Sequence, residues 1–170
     1  MSWTGVLIGE GFEGNGTSAA HVNVMLGDPS SSVASAWVHA LASPSAGHAS
    51  FQVTARPGLP VRPLTLFVNK ATIANDEHGK VTWGGAQAGV AAGVLDAVRT
   101  GVVPADVAAD ALLICAVWVD PGATTAHQDV VFINNRAATL AALEAAGHQR
   151  PSVDDVLNYT GDVWNAFFRP

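Results

Sequence analysis

Residues 18–28, SAAHVNVMLGD, alternate between apolar side chains and a second, more polar set. Alternation with a period of two is typical of a β-strand that buries one face. The buried face is predicted to consist of Val22, Val24 and Leu26. His21, Asn23 and Met25 share the other face, where His21 and Asn23 form either a satisfied polar pair at the edge of a core or the floor of a site. Periodicity alone favours the satisfied pair, since buried histidines usually find a hydrogen-bond partner.

The segments around this strand extend it into a sheet. Residues 4–8 predict a strand that forms a hairpin with it across the glycine-rich turn GEGFEGNG (9–16). The apolar run ADALLICAVWV (109–119) predicts a central strand. Two further strands are predicted, SFQVTAR (50–56) and LTLFVNKATI (64–73), and the proline-rich connector PGLPVRP (57–63) between them is predicted to be a loop.

Helices are predicted where apolar residues recur at helical spacing or where helix start signals occur. They are VASAWVHALAS (33–43), with Val33, Trp37, Val38 and Leu41 at that spacing; GGAQAGVAAGVLDAVRTG (84–101); a short helix from Pro104; NNRAATLAALEAAG (134–147); and a helix in the tail after Gln149. Because strands and helices do not alternate regularly, we predict an α+β fold with helices packed on one face of a β-sheet.

Composition limits the classes of function. The 170 residues suit one domain, and their low charge suggests further surface buried in an oligomer. Fourteen acidic residues against eight scattered basic ones argue against nucleic acid and anionic membranes as partners. No signal peptide or membrane span is evident, so we expect a cytoplasmic protein. The single Cys115 lies in an apolar run and is expected to be a buried, inert thiol.

Several apparent motifs have simple structural explanations. Gly9, Gly11 and Gly14 match a dinucleotide-binding spacing, but the chain then enters a strand instead of a helix, so we expect no such site. The six histidines show no metal-binding spacing, and we predict no metal. Glu77 and His78, in the polar stretch NDEHGK, are expected to be solvated loop residues.

Lys70 and Gln87 are stronger candidates for functional residues. Lys70 lies in the strand-like FVNKATI (67–73), on the same face as Thr72. A lysine there is costly to bury without a partner, although an edge lysine whose amine reaches solvent is commoner. Gln87 is placed in the first turn of a predicted helix, where free backbone amides can receive a polar ligand.

Taken together, these segments resemble the formaldehyde-activating enzymes, which condense formaldehyde with tetrahydromethanopterin to give the methylene derivative and water. The resemblance runs from about Gly5 to Ala146. It rests on LIGEG, AAHVNVMLGD, RPGLPVRP, TLFVNKATI, WGGAQAGVAAGVLDAV, GVVPADVAADALL and AVWVDPGAT. It implies a ribosomal-protein-S5-domain-2-like fold, a ring-like homopentamer and pterin sites between neighbouring subunits.

The resemblance also implies roles for particular residues. The family's catalytic histidine falls on His21. Its pterin-contacting positions fall on Asn23, Gln52, Lys70, Thr72 and Gln87. The family usually has aspartate at position 23 and leucine at position 52, so this chain differs at two of those positions. Histidine suits the reaction because its unperturbed pKa of about 6.5 lets it protonate a departing hydroxyl group near neutral pH.

Two other functions stay open at this point. One is condensation of formaldehyde or another small aldehyde with a different amine, and the other is noncatalytic binding or sensing of a pterin-like ligand or a formaldehyde adduct. We expect residues 1–147 to form the family domain and residues 148–170 an aromatic-rich helical extension. Its apolar side chains, Trp164, Phe167 and Phe168, are expected to pack across a subunit interface or to cover the pocket.

Overall fold

The protein is described by a computed structural model that covers residues 5–165, 168 and 170. The strands are β1 (Val6–Glu13), β2 (Ala20–Gly27), β3 (Phe51–Gln52), β4 (Thr54–Arg56), β5 (Leu59–Pro60), β6 (Leu64–Asn69) and β7 (Leu112–Val119). The helices are α1 (Ser32–Ala42), α2 (Asp76–Val81), α3 (Gln87–Arg99), α4 (Ala105–Asp110), α5 (Gln128–Gly147) and α6 (Val153–Leu157). The α+β class is confirmed.

Five strands form the main sheet in the order β1-β2-β7-β6-β3. β2 pairs antiparallel with β1 and β7, whereas β6 and β7 run parallel and β3 returns antiparallel to β6. The hairpin and the interior position of the apolar strand are therefore confirmed. The connector predicted to be a loop instead contributes β5, which pairs with β4 in a separate two-stranded sheet.

The sheet has helices on both faces, so the prediction of helices on one face was wrong. Val22, Val24 and the odd-numbered residues of β7 belong to a core that includes side chains of α3 and α5. A second cluster joins Val33 and Trp37 of α1 to Ile114 and Leu66 from the other face. We call the face covered by α3 and α5 the closed face and the opposite one the open face. Val38 and Leu41, at helical spacing in α1, are exposed.

The glycines near the N-terminus serve packing on the closed face. β1 runs through the predicted turn to Glu13, and a Cβ at Gly9 or Gly11 would overlap the carbonyl oxygens of Ala142 and Ala138 in α5. These glycines therefore let a helix backbone approach a strand backbone closely. They do not form a phosphate-binding loop.

The segment expected to be a polar turn is helical. α2 continues through one π-helical turn (Thr82–Ala86) into α3, so Gln87 follows a helical segment and does not lie at a free helix N-terminus. His78 is buried, contrary to expectation. Its Nδ1 accepts from the Ala74 N–H (3.1 Å) and its Nε2 donates to the Val119 carbonyl (3.2 Å), which satisfies both ring nitrogens.

Within the described residues of the tail, helix is confined to α6, where Ser152 and Asp155 form a capping box. Trp164 lies outside a helix and is exposed, and Phe168 forms an isolated bridge with Asn165. The prediction of a helical extension was therefore wrong at Trp164 and Phe168. Phe167 lies outside the described residues.

Candidate functional site

The candidate site lies on the open face, near the end of the sheet that α1 does not cover. The alternation predicted for β2 is confirmed, because Val22 and Val24 are fully buried while His21 and Asn23 are half-buried. The cluster beneath α1 is centred on Leu66 and Ile114, which pair in register with each other and with Met25. Asn23 and His21 follow farther along the same face of β2.

Glu10 holds His21 from the neighbouring strand. Glu10 lies opposite Asn23 in the β1–β2 register, and its Oε1 is 2.6 Å from His21 Nε2. An ionised carboxylate only accepts hydrogen bonds, so the Nε2–H donates to it and Nδ1 is the free acceptor of the neutral ring. The Phe12 ring meets the imidazole edge-on, with ring centroids 6.3 Å apart, and also restrains its orientation.

Lys70 reaches the same imidazole from the other side. Its backbone N–H donates to the Val117 carbonyl (2.8 Å), which fixes the residue just beyond the end of β6. Its side chain crosses β7 toward β2, where Nζ donates to Asn23 Oδ1 (2.6 Å) and lies 3.3 Å from His21 Nδ1. The lysine is thus half-buried with two side-chain partners, and is not the solvent-reaching edge residue that was the commoner expectation.

Burial and charge act in opposite directions on Lys70. Desolvation lowers the pKa of its ammonium group, and the negative charge of Glu10 raises that pKa by a smaller amount. Asn23 contributes an oxygen with no net charge, so its hydrogen bond adds no full charge to hold the proton on Nζ. The pKa of Lys70 is therefore lower than that of an ordinary lysine.

The three side chains form a line from acid to base to amine. Glu10 binds one ring nitrogen of His21, and Lys70 faces the other. A proton can pass between Nζ and Nδ1 without moving any heavy atom far, because the two atoms are near hydrogen-bond distance. This arrangement can therefore hold, accept and return one proton at the open face of the sheet.

Thr72 belongs to a second polar group nearby. It is exposed, and its Oγ1 lies 3.0 Å from Nε2 of His48, whose Nδ1 donates to the Asn69 carbonyl (2.9 Å). The Asn69 side chain donates to the carbonyls of Gly47 and Ala71, both at 2.8 Å. These bonds fix the turn that carries Lys70 and Thr72.

Gln52 and Gln87 do not join His21 within one chain. Gln52 pairs with Leu66 on the edge strand β3, three strands from β2 and thus about 14 Å across the sheet. The side chain of Gln87 donates to the Thr54 carbonyl (3.2 Å), beside the small β4–β5 sheet. The structure therefore brings together His21, Asn23 and Lys70, and places Gln52 and Gln87 elsewhere.

Sequence reasoning missed Glu10 and His48 as members of these groups. Glu10 was assigned to a turn, although Ile8, Glu10 and Phe12 continue the alternation of an exposed strand face. That alternation was the available signal, and the glycines at the intervening positions obscured it. His48 carries no signal in its neighbours, because its side-chain hydrogen bonds go to residues more than 20 positions away.

Other groups are set apart from this chemistry. Cys115 is buried, and burial raises the pKa of its thiol well above the ordinary range, in keeping with the inert thiol expected from the sequence. Within residues 5–165, 168 and 170, no three histidine, cysteine or acidic side chains are close enough together to hold a metal ion. In the same part of the chain, no helix is long and apolar enough to cross a membrane.

Comparisons with known proteins agree with the resemblance seen in the sequence. The family model of the formaldehyde-activating enzyme (Fae) matches residues 8–168. The 5,6,7,8-tetrahydromethanopterin hydro-lyase of Methanosarcina barkeri is 35% identical over 89% of this chain and 84% of the relative. The bifunctional enzymes Fae/Hps of Methanothrix thermoacetophila and Archaeoglobus fulgidus are each 36% identical over 89% of this chain, which spans only 38% and 36% of their lengths.

Proposed function

Because this chain belongs to the formaldehyde-activating enzyme family, we propose that it is a hydro-lyase that condenses formaldehyde with tetrahydromethanopterin to give the methylene derivative and water. The observation that carries the proposal is the position of His21 on the open face, held between Glu10 and Lys70. A relative named as a hydro-lyase favours this reaction over condensation with an unrelated amine and over noncatalytic binding.

His21 is the proposed general acid. Formaldehyde adds to a secondary amine of the pterin as a hydroxymethyl adduct, which must lose water before the second nitrogen can close the ring. Hydroxide is a poor leaving group, so a proton donor at the departing oxygen accelerates this step by about 10²- to 10⁴-fold. The half-buried imidazole has Glu10 behind it to accept its Nε2–H, and the positive charge formed on the ring is stabilised by that carboxylate.

Five residues are proposed to hold the pterin: Asn23, Gln52, Lys70, Thr72 and Gln87. In one chain they fall into separated groups, with Asn23 and Lys70 beside His21 and Gln87 beside β4. Two chains packed side by side could place both groups on one ligand. This separation supports pterin sites between subunits of a homopentamer, the finer assembly that we propose together with an S5-domain-2-like fold.

We also propose a domain boundary and a cellular location for the protein. We take residues 1–147 as the family domain and residues 148–170 as a C-terminal extension. The exposed apolar side chains of that extension, including Val163 and Trp164, suit packing against another subunit. The acidic composition fits a cytoplasmic enzyme that binds small molecules and neither nucleic acid nor membrane.

Stopped-flow measurement of methylene-tetrahydromethanopterin formation tests the function. We expect native protein to exceed the spontaneous reaction, and His21→Ala to lose about 10²- to 10⁴-fold of that enzymatic rate. His39→Ala, at an exposed position of α1, is the matched control and should keep full activity. Tetrahydrofolate in place of tetrahydromethanopterin tests selectivity. A native rate equal to the background with both pterins would reject the proposed function.

Mixing two inactive variants tests whether the site spans subunits. His21→Ala and Gln87→Ala homo-oligomers, each impaired alone, are dissociated and reassembled together. If His21 of one subunit works with Gln87 of its neighbour, mixed rings contain some sites with both native residues and regain activity. No recovery from demonstrably mixed oligomers would place both residues of each working site in one chain.

A further inference from the structure

We propose that Lys70 is a covalent nucleophile that captures formaldehyde, with His21 as its base and Glu10 as the group that orients the base. The role rests on the proposed function for the identity of the aldehyde. It goes beyond that function because it assigns Lys70 a bond to the carbon being transferred, in addition to a contact with the pterin.

The geometry is that of an activated nucleophile. Such sites combine a nucleophile and a base within hydrogen-bond reach, and a third group that orients the base. Here Lys70 Nζ is 3.3 Å from His21 Nδ1, a slightly long contact, and Glu10 Oε1 is 2.6 Å from Nε2. Because the carboxylate accepts the Nε2–H, the lone pair of Nδ1 faces the amine, as a base requires.

The surroundings of Lys70 favour its neutral, reactive form. Asn23 Oδ1 fixes Nζ at 2.6 Å with a neutral oxygen, and partial burial lowers the pKa of the amine. The chain contains only one other lysine, Lys80. Lys80 is exposed and donates to Glu77 Oε1 at 3.0 Å, which raises its pKa and keeps it an ammonium ion. The two lysines therefore form an internal comparison.

The first stage converts the lysine into a methylene iminium ion. The ammonium form of Lys70 gives one proton to His21 Nδ1, and the lone pair of the resulting amine forms a bond to the formaldehyde carbon while the C=O π pair moves to oxygen. A proton moves from nitrogen to that oxygen and gives the hydroxymethyl amine. His21 then protonates the hydroxyl group, the C–O bond breaks with loss of water, and the nitrogen lone pair forms the C=N bond.

The second stage transfers the carbon. A pterin nitrogen attacks the iminium carbon and loses its proton to solvent, which joins the pterin to Lys70 through one CH₂ group. The bond from Lys70 to that carbon breaks as the pterin nitrogen lone pair forms a C=N bond to it, the electron pair of the broken bond returns to Nζ, and Nζ takes up two protons from solvent to become the ammonium ion again. The second pterin nitrogen closes the ring with loss of its proton. The sum is formaldehyde plus two N–H groups giving N–CH₂–N plus water, with Lys70 regenerated.

Reductive trapping without pterin tests the inference. Native protein is treated with formaldehyde and cyanoborohydride, which donates hydride to an iminium ion and leaves a methylated amine. Peptide mass spectrometry then gives separate methylation rates for Lys70, Lys80 and the α-amino group. We expect Lys70 to react several-fold faster than Lys80, because the lowered pKa of Lys70 and the raised pKa of Lys80 leave Lys70 with the larger neutral fraction.

Variants test whether Lys70 reacts fast because of His21 and Glu10 or simply because its side chain is accessible. His21→Ala should slow methylation of Lys70 several-fold and leave Lys80 unchanged. Glu10→Gln removes the group that orients the base but also the charge that raises the pKa of Lys70, so it should slow methylation less. Glu13→Gln, on the same strand but opposite Ala20, should change neither rate. Lys70→Arg retains a cation for the pterin but no nucleophile, so we expect it to lower kcat with little change in KM.

The results also separate this inference from the proposed function. Methylation of Lys70 no faster than that of Lys80, in a protein with His21-dependent pterin turnover, would overturn the inference alone. Lys70 methylation that does not respond to His21→Ala would overturn it as well. Fast methylation of Lys70 that depends on His21, in a protein without pterin turnover, would support the capture step and reject the proposed function.

Discussion

The closed and open faces of one sheet are built from alternate residues of the same strands, yet they do different work. On the closed face, Val22 and Val24 are fully buried and the glycines of β1 lie directly against α5. On the open face, His21 and Asn23 are half-buried and bind Glu10 and Lys70. A slip of one residue in β2 would exchange the two sets, so the apolar packing that stabilises the fold also fixes which side chains reach the site.

The largest expected effect comes from the closed face. Gly11→Ala places a Cβ on the Ala138 carbonyl, and neither backbone can move without disturbing the sheet or α5. We expect a loss of about 3 kcal/mol of unfolding free energy or more, measured by urea denaturation. Gly122→Ala is the control, because its Cβ would meet side-chain atoms and no backbone, with Asp120 Oδ1 at 3.1 Å and Thr17 Cγ2 at 3.5 Å. Equal stability of the two variants would show that β1 is not held closely against α5.

A milder change on the open face should alter the reactivity of Lys70 and leave the stability of the fold nearly unchanged. Asn23→Asp places a carboxylate beside Lys70 Nζ, where it favours the ammonium form and raises the pKa of Lys70. We expect reductive methylation of Lys70 to slow by about tenfold while the urea midpoint stays near that of the native protein.

Asn15→Asp is the matched control for this charge change, because Asn15 is exposed and its side chain makes no capping hydrogen bond to the short helical turn that follows it. Methylation of Lys70 at the native rate in Asn23→Asp would mean that the neutrality of the amide does not influence the amine. The reactivity of Lys70 on the open face would then depend on where its side chain lies and not on the charge of residue 23.

The closed face could be predicted from sequence better than the open face. Burial of Val22 and Val24 follows from a local period of two, and the interior strand β7 from its continuous apolar run. The approach of β1 to α5 could not be found this way, because its signal, Gly9 and Gly11, has a meaning only once α5 is in place. The same glycines obscured the strand position of Glu10.

The open face depends on contacts between residues far apart in the chain. Lys70 meets Asn23 across 47 positions, and no local pattern reports that pairing. The exposure of His78 was predicted wrongly for a related reason. Its polar neighbours in the sequence indicated a solvated turn, whereas its buried ring donates to the Val119 carbonyl, 41 positions away. The strand patterns singled out His21 and Lys70, and the resemblance to a family gave them expected roles, but neither supplied Glu10 as their partner.

The smallest expected effect concerns the helices behind the closed face, where Glu77 of α2 binds Thr125, just before α5. Glu77 Oε2 accepts from the Thr125 hydroxyl (2.6 Å) and N–H (3.1 Å), and Oε1 accepts from Lys80; these bonds lower the pKa of Glu77 to about 2 from an ordinary value of 4.5. A lowered carboxyl pKa stabilises the fold above pH 4.5, and this contribution disappears as the pH falls to about 2.

Glu77→Gln should therefore lower Tm by about one or two degrees at neutral pH, a small effect because solvent screens an exposed group. The difference from native protein should shrink between pH 4.5 and about 2. Thr125→Val removes the hydroxyl donor alone, so it should show part of the same loss over the same pH range, and the double variant should lose less than the sum of the two single changes. A Tm difference for Glu77→Gln that persists unchanged at pH 2 would mean that the amide disturbs packing, and that the ionised carboxylate is not what joins these helices.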